Sequence, residues 1–257
     1  VVVDAHAPWV DISGNASVVV ADLEPAREPI RAVQAEWASR VREAARDAGE
    51  RIESLLASGS GRTMLDLARS AAASTSGPLV LGASNPVRAF DLAVPTLEGR
   101  VVHSNRGQAG IDGTIATAVG ICLGSGYAGE ASAPVGTRVT AVMGDLTACH
   151  DASSLALVAS TGAHLDIVVA DDGGGGIFAT LEHGRATSPE AYDRWFGLAQ
   201  SVDYEALAAA YGVAFARAGE PRELEDLLDR PVRGPRLIHA PVERAEDLYR
   251  AIRDVLS

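Results

Sequence analysis

The sequence predicts an α/β fold, a parallel sheet flanked by helices, and three observations carry that prediction. Two apolar runs, residues 139–143 and 165–170, lack polar alternation and read as strands buried in a parallel sheet. The segment between them, residues 152–160, is rich in Ala and Leu and reads as the crossover helix that a parallel connection needs. Each run is followed by a short acidic, glycine-bearing segment, GDLTACHD over 144–151 and DDGGGGIF over 171–178.

The other elements follow in chain order. Residues 1–22 read as two apolar runs with Trp9-Val10-Asp11-Ile12-Ser13-Gly14-Asn15 as a turn between them. Residues 28–57 form a charged amphipathic helix that ends at Ser58-Gly59-Ser60-Gly61, a linker composition. A second helix covers 64–73, the first strand of the main domain 79–82, and another helix 114–123. Helices over 204–211 and 245–256 flank a short strand at 236–240, and no internal repeat is visible.

Composition narrows the function. At 257 residues the chain can bury a substantial core, enough for one large domain or one plus a fragment. A net charge of −12 argues against nucleic acid and anionic membranes as partners. Every cation is Arg and none is Lys, a bias read as genomic composition or salt adaptation rather than function. Cys122 and Cys149 are too few for a disulfide framework or a zinc site and read as small apolar fillers in a reducing cytosol, so a cytoplasmic location is expected. No apolar run reaches the length of a membrane span.

The chemistry lies in the two acidic segments. In a strand–helix–strand unit both strands run parallel, so their carboxyl ends share one edge of the sheet. Asp145 follows the first strand and Asp172 the second, 27 positions later, so two carboxylates converge on one crevice beside glycine-flanked backbone that a phosphate can approach. Carboxylate oxygens together with ligand phosphates are how Mg²⁺ is usually held. Alone, Asp145 would as readily cap the following helix; its pairing with Asp172 and Gly174 favours a metal-bridged diphosphate.

That pattern resembles the thiamine-diphosphate (ThDP) motif, and two more segments sharpen it: GASNPVR over 82–88 and HSNRGQAGIDG over 103–113. The four blocks together resemble the 2-succinyl-5-enolpyruvyl-6-hydroxy-3-cyclohexene-1-carboxylate (SEPHCHC) synthase family of menaquinone biosynthesis. Residues 179–257 match only in general layout. The resemblance implies a ThDP-binding, diphosphate-domain fold and ThDP- and Mg²⁺-dependent transferase chemistry, with Mn²⁺ as an alternative metal. Its substrates would be 2-oxoglutarate and isochorismate.

Residue by residue, the resemblance implies Asp145, Asp172 and the Gly174 carbonyl as metal ligands. Asn105, Ile111, Gly144, Leu146 and Ile177 join them around the cofactor, with Ile111 as the bulky prop under its bend. Ser84, Arg88 and Arg106 are implied as substrate binders, with Ile177, Phe178 and Leu181 lining that side. Paired Arg residues suit dicarboxylate substrates, which a chain of net charge −12 would otherwise repel. Many relatives carry Asn where this chain has Asp172, so an extra negative charge is expected at the metal.

The resemblance also implies incompleteness. Residues 1–25 correspond to the tail of a middle domain, 26–61 to a helical linker and 62–257 to the C-terminal diphosphate domain. The catalytic glutamate is expected on an N-terminal pyrimidine-binding domain outside this sequence, so no catalytic residue is assigned here. A homodimer or homotetramer with sites at subunit boundaries is expected. Two decoys are set aside. The G-x-G-x-x-G over 124–129 follows a helix rather than a strand, and His150-Asp151 reads as structural. Alternatives are another ThDP-dependent 2-oxoacid decarboxylase or carboligase subunit, and a non-catalytic α/β module binding a phosphorylated ligand.

Overall fold

The computed structural model describes residues 2–3, 19–20, 27–105, 110–125, 138–230 and 232–256. They fall into two compact units, residues 1–51 and 52–257. In the first, β1 (Val2–Val3) and β2 (Val19–Val20) pair in parallel. The turn expected at 9–15 lies outside the described residues. The long helix α1 (Arg27–Ala57) starts in this unit, and its last turns belong to the second.

The second unit is built on a six-stranded, wholly parallel sheet. Its strands are β3 (Leu79–Leu81), β4 (Val102–Ser104), β5 (Val139–Gly144), β6 (Leu165–Asp171), β7 (Ala214–Arg217) and β8 (Arg236–Pro241), in the order β4-β3-β5-β6-β8-β7. Side chains of a strand alternate between faces, so a strand covered on both sides must be apolar throughout. In β6, Val168 and Ala170 enter one core while Leu165, Ile167 and Val169 enter the other. The first core is closed by α2 (Met64–Ala73), α3 (Asn85–Ala93), α11 (Pro221–Asp229) and α12 (Glu246–Leu256). The second is closed by α4 (Thr114–Gly124), α6 (Leu155–Thr161) and α10 (Tyr204–Tyr211). This explains the unbroken apolar runs from which the parallel sheet was predicted.

The crossover differs from the single helix expected over 152–160. Helix α5 (Asp145–His150) begins directly at the end of β5, a 3₁₀ turn follows at Ala152–Ser154, and α6 completes the connection. Asp151 is the physical reason for the break. Its carboxylate accepts the N–H groups of Ile115 and Ala116 at 2.6 and 3.1 Å and the Ser154 hydroxyl at 2.5 Å. It thereby satisfies the first turn of α4, whose N-cap is a left-handed glycine, Gly113, with no side chain to offer. The structural role expected of Asp151 is borne out. The helix before Gly124 is also observed; residues 126–129 of the glycine decoy lie outside the described residues. Cys122 is fully buried and Cys149 partly so; both are free thiols.

Among the described residues α3, β4, β7 and α11 lack a sequence prediction, as do the short helices α7 (Ile177–Thr180), α8 (Glu182–Ala186) and α9 (Pro189–Tyr192) and the π-helical turn Asp193–Gly197. Strand β4 is an exposed edge and β7 an edge with exposed ends, and neither carries a long apolar run. Helix α11 does carry a legible start, Pro221 at its first position and a capping box between Glu220 and Glu223.

Candidate functional site

Strand β3 has β4 on one side and β5 on the other, so the order in which the chain visits the sheet reverses between β3 and β5. In open parallel sheets ligands bind in the crevice beyond the carboxyl ends of the strands at such a point. The structure has a cleft there. Its walls bring together Ser84, Ile111, Gly144, Asp145, Leu146, Asp172, Gly174, Ile177 and Phe178, all singled out by the sequence, together with Met64, Asn85 and Thr147.

Register explains the convergence. Gly144 pairs with Ala170, so the residues following β5 and β6 emerge side by side. Asp145 is 3% exposed and opens α5. Its Oδ1 accepts the Leu146 N–H at 2.7 Å, while its Oδ2 is buried with no hydrogen-bond partner. Asp172 shows the same condition, with a buried and unpartnered Oδ1. Burial, together with the nearby negative charges of Asp172 and Asp171, pushes the Asp145 carboxyl up to about 7 against the Leu146 hydrogen bond. Burial likewise raises Asp172, opposed by the Arg244 guanidinium.

The glycine run wraps around this pair under steric compulsion. Gly174 has φ +135°, and a Cβ there would strike the Gly197 carbonyl; at Gly175 it would strike the Phe196 carbonyl, and at Gly176 the Asp172 carboxylate. The Gly175 N–H donates to the Gly197 carbonyl at 2.6 Å, and the Tyr192 hydroxyl donates to the Gly175 carbonyl at 3.0 Å. From the loop between β8 and α12, Arg244 donates Nε to the Asp172 carbonyl at 3.0 Å and Nη2 to the Gly173 carbonyl at 3.4 Å. Opposite, Ser84 holds φ 87° and ψ −132°, a conformation that costs a non-glycine residue on the order of 1–3 kcal/mol.

The remaining predicted residues stand elsewhere. Arg88 and Leu181 line a neighbouring cavity with Tyr249 and Arg253, and Asn85 is common to its wall and to the cleft's. Arg88 donates Nη1 to the Ser84 carbonyl at 2.7 Å, one helical turn back. Asn105 is not on the cleft wall: its amide donates to the Gly113 carbonyl at 3.3 Å and the Thr117 hydroxyl at 2.9 Å, tying β4 to the start of α4. Arg106 lies outside the described residues. Asn85 lies within the block over 82–88, where the resemblance singles out Ser84 and Arg88 alone; Tyr192 and Arg244 carry no motif-level signal, because each meets the site through the fold.

Residues 89–240, more than half of the chain, match the model "Thiamine pyrophosphate enzyme, C-terminal TPP binding domain". The chain belongs to that family. Among curated proteins it is 40% identical over 226 residues to a 2-succinyl-5-enolpyruvyl-6-hydroxy-3-cyclohexene-1-carboxylate synthase of Nocardioides sp. (strain ATCC BAA-499 / JS614), covering 85% of this chain and 41% of the relative. It is 37% identical over 258 residues to the synthase of that name from Mycobacterium leprae (strain Br4923), covering 96% and 45%. The chain thus spans less than half the length of these relatives. Among solved structures it resembles a benzoylformate decarboxylase from Polynucleobacter necessarius, with a TM-score of 0.57 and 17% identity over 70% of this chain and 33% of that one. A 4-hydroxybenzoylformate decarboxylase from Rhodococcus jostii RHA1 gives a TM-score of 0.57 at 18% identity, over 73% and 34%. At such identity these two speak for the fold alone, a ThDP-enzyme α/β fold.

The donor set fits a hard cation beside a diphosphate. Among the described residues no cluster of three or more His, Cys, Asp or Glu could hold a metal by itself. The cleft offers the carboxylates of buried Asp145 and half-buried Asp172, each with a buried unpartnered oxygen. A site with few protein oxygens, completed by phosphate oxygens and water, is the usual arrangement for Mg²⁺.

Proposed function

We propose that this chain is the ThDP- and metal-binding half of a SEPHCHC synthase, joining a succinyl unit from 2-oxoglutarate to isochorismate in menaquinone biosynthesis. The observation that carries the reading is the pair of orphaned buried oxygens on Asp145 and Asp172, two residues that line one cleft in a member of the TPP-binding family. Relatives named as synthases of this product support the reaction. When bound, ThDP supplies a nucleophilic carbon for decarboxylating a 2-oxo acid and transferring the remainder.

The chain's own residues bind, orient and exclude water. Asp145, Asp172 and the Gly174 carbonyl hold Mg²⁺, with Mn²⁺ as an alternative, against the diphosphate. Gly144 and Leu146 border it, and Asn105 supports that wall from β4. Ile111 and Ile177 form the apolar props of the cofactor, while Phe178 and Leu181 keep water from the substrate side. Ser84, Arg88 and Arg106 take the substrate carboxylates; a bidentate guanidinium contact suits each.

In this reading residues 1–25 are the tail of a middle domain, 26–61 a helical linker and 62–257 the diphosphate domain. The glutamate of a pyrimidine-binding domain comes from a further polypeptide segment, and the site completes at a subunit boundary of a cytoplasmic homodimer or homotetramer. The test is to assay 2-oxoglutarate decarboxylation and SEPHCHC formation by the 257-residue chain, alone and mixed with the N-terminal half of a related synthase. Turnover only in the mixture is expected. Robust turnover by the chain alone would refute the half-site, and a mixture that binds ThDP yet leaves both substrates untouched would refute the substrate assignment.

A further inference from the structure

Behind the glycine loop lies an arrangement with no part in binding the cofactor itself. Asp171 ends β6 beside Asp172, yet its carboxylate is turned to other partners. Oδ1 accepts the Gly173 N–H at 3.0 Å, and Oδ2 lies 2.8 Å from Nε2 of His239. His239 sits on β8, in register with Val169 of β6, with its side chain 13% exposed. Its ring lies 4.7 Å from that of Tyr204, a buried residue of α10. A polar ring at such a depth is costly unless hydrogen-bonded, and the Asp171 carboxylate supplies that bond. The run Tyr204–His239–Asp171–Gly173 therefore connects a packed helix to the amide between the two loop ligands.

We propose that His239 is a positioning residue for the cation site: by holding Asp171 it fixes the Gly173 amide, and with it the Asp172 carboxylate and the Gly174 carbonyl. The inference rests on reading Asp172 and Gly174 as cation ligands. The loop needs such an anchor because Gly173 and Gly174 both have positive φ, +78° and +135°, and glycines restrict their own backbone least. An Asp side chain bonded to the N–H two residues on is the standard way to pin such a turn. What this chain adds is a half-buried histidine on the neighbouring strand that orients the Asp. Partners one step behind metal ligands orient them, and losing one costs roughly 10- to 100-fold in metal affinity.

A competing role for His239 is to fill space against Tyr204, and the two roles order substitutions oppositely. His239→Phe keeps an aromatic ring against Tyr204 and removes the bond to Asp171. His239→Gln loses the ring but carries an amide N–H close to the Nε2 position. The experiment titrates Mg²⁺ into the 257-residue chain with ThDP and follows binding by calorimetry, with the melting temperature of the ligand-free protein as a second readout. Expected is a Mg²⁺ midpoint about 10- to 100-fold higher in His239→Phe, largely restored in His239→Gln, with ThDP affinity at saturating Mg²⁺ little changed. Asp171→Ala, which leaves the Tyr204 contact intact, is expected to show the same rise even if the Phe variant does not fold. A Gln variant as impaired as Phe, or an unshifted midpoint in Asp171→Ala, would overturn the proposal. If the wild-type chain binds ThDP without regard to Mg²⁺, the cation-site reading itself falls, which is visible before any variant is made.

Discussion

The two ends of β6 treat a buried carboxylate in opposite ways. Near its start, Asp166 is 2% exposed and held between two arginines: Arg138 Nε at 2.8 Å from Oδ2 and Arg236 Nε at 2.8 Å from Oδ1. Other guanidinium N–H groups of the two arginines donate to the carbonyls of Leu165, Leu227, Val232 and Gly234 at 2.8–3.1 Å. Just past the end of the same strand stands half-buried Asp172, with buried Asp145 as its neighbour, and each has a buried oxygen left unpartnered. Folding alone explains the first arrangement, since a buried charge must be paired and hydrogen-bonded. It does not explain the second, which costs stability; in the proposed reading a cation supplies the missing partner. The amino end of the sheet is built for stability and the carboxyl end for binding.

Substitutions should separate the ends sharply. The largest effect is expected from Asp145→Ala or Asp172→Ala, each abolishing Mg²⁺-dependent ThDP binding in calorimetry while far-UV circular dichroism stays native, because both proposed ligands lie past the strand ends and outside the two apolar cores. Asp166→Ala should do the reverse. It strands two buried cations and should lower unfolding free energy by about 3–5 kcal/mol in urea titrations, yet leave ThDP affinity intact wherever the protein is folded. A loss of cofactor affinity there, at equal foldedness, would break the comparison.

Smaller effects sharpen it. Arg88→Ala should weaken dicarboxylate binding roughly ten- to a hundredfold, with ThDP affinity unchanged, reflecting a charge-assisted contact of about 1.5–3 kcal/mol. In the ligand-free protein Asp145 should penalise folding in a pH-dependent way. Its folded carboxyl titrates near 7 against an ordinary 3.8, so the folded state binds the proton more tightly than the unfolded one. The resulting stability is fully present below pH 3.8 and lost as pH rises through about 7. Asp145→Asn should therefore melt higher than the wild type at pH 8 without metal, and a lower melting temperature would contradict the sign. Ser84→Gly, which relieves a positive φ, should stabilise the fold by about 1 kcal/mol or less, read from the melting temperature.

How much of this was legible in the sequence depended on distance along the chain. The central strands could be read because burial on both faces leaves an unbroken apolar signature, as in residues 165–170. The convergence of Asp145 and Asp172 followed from one local unit, β5 to β6, whose topology fixes both ends on one edge. The edge strands β4 and β7 were illegible because their residues are partly or wholly exposed. The crossover was misjudged because Asp151 serves α4, 35 residues away, and no local pattern records that. His239 and Arg244 reach the site through pairing of β8 with β6, 68 and 72 residues from their partners. Arg138 and Arg236 escaped for the same reason.

The most direct measurement of the central claim is a calorimetric titration of ThDP into the wild-type 257-residue chain, once with Mg²⁺ and once with a chelator. If the orphaned oxygens at the carboxyl end of the sheet are cation ligands, ThDP binds with one site per chain in Mg²⁺ and no heat of binding remains in the chelator. Equal binding in both conditions, or none in either, would contradict it.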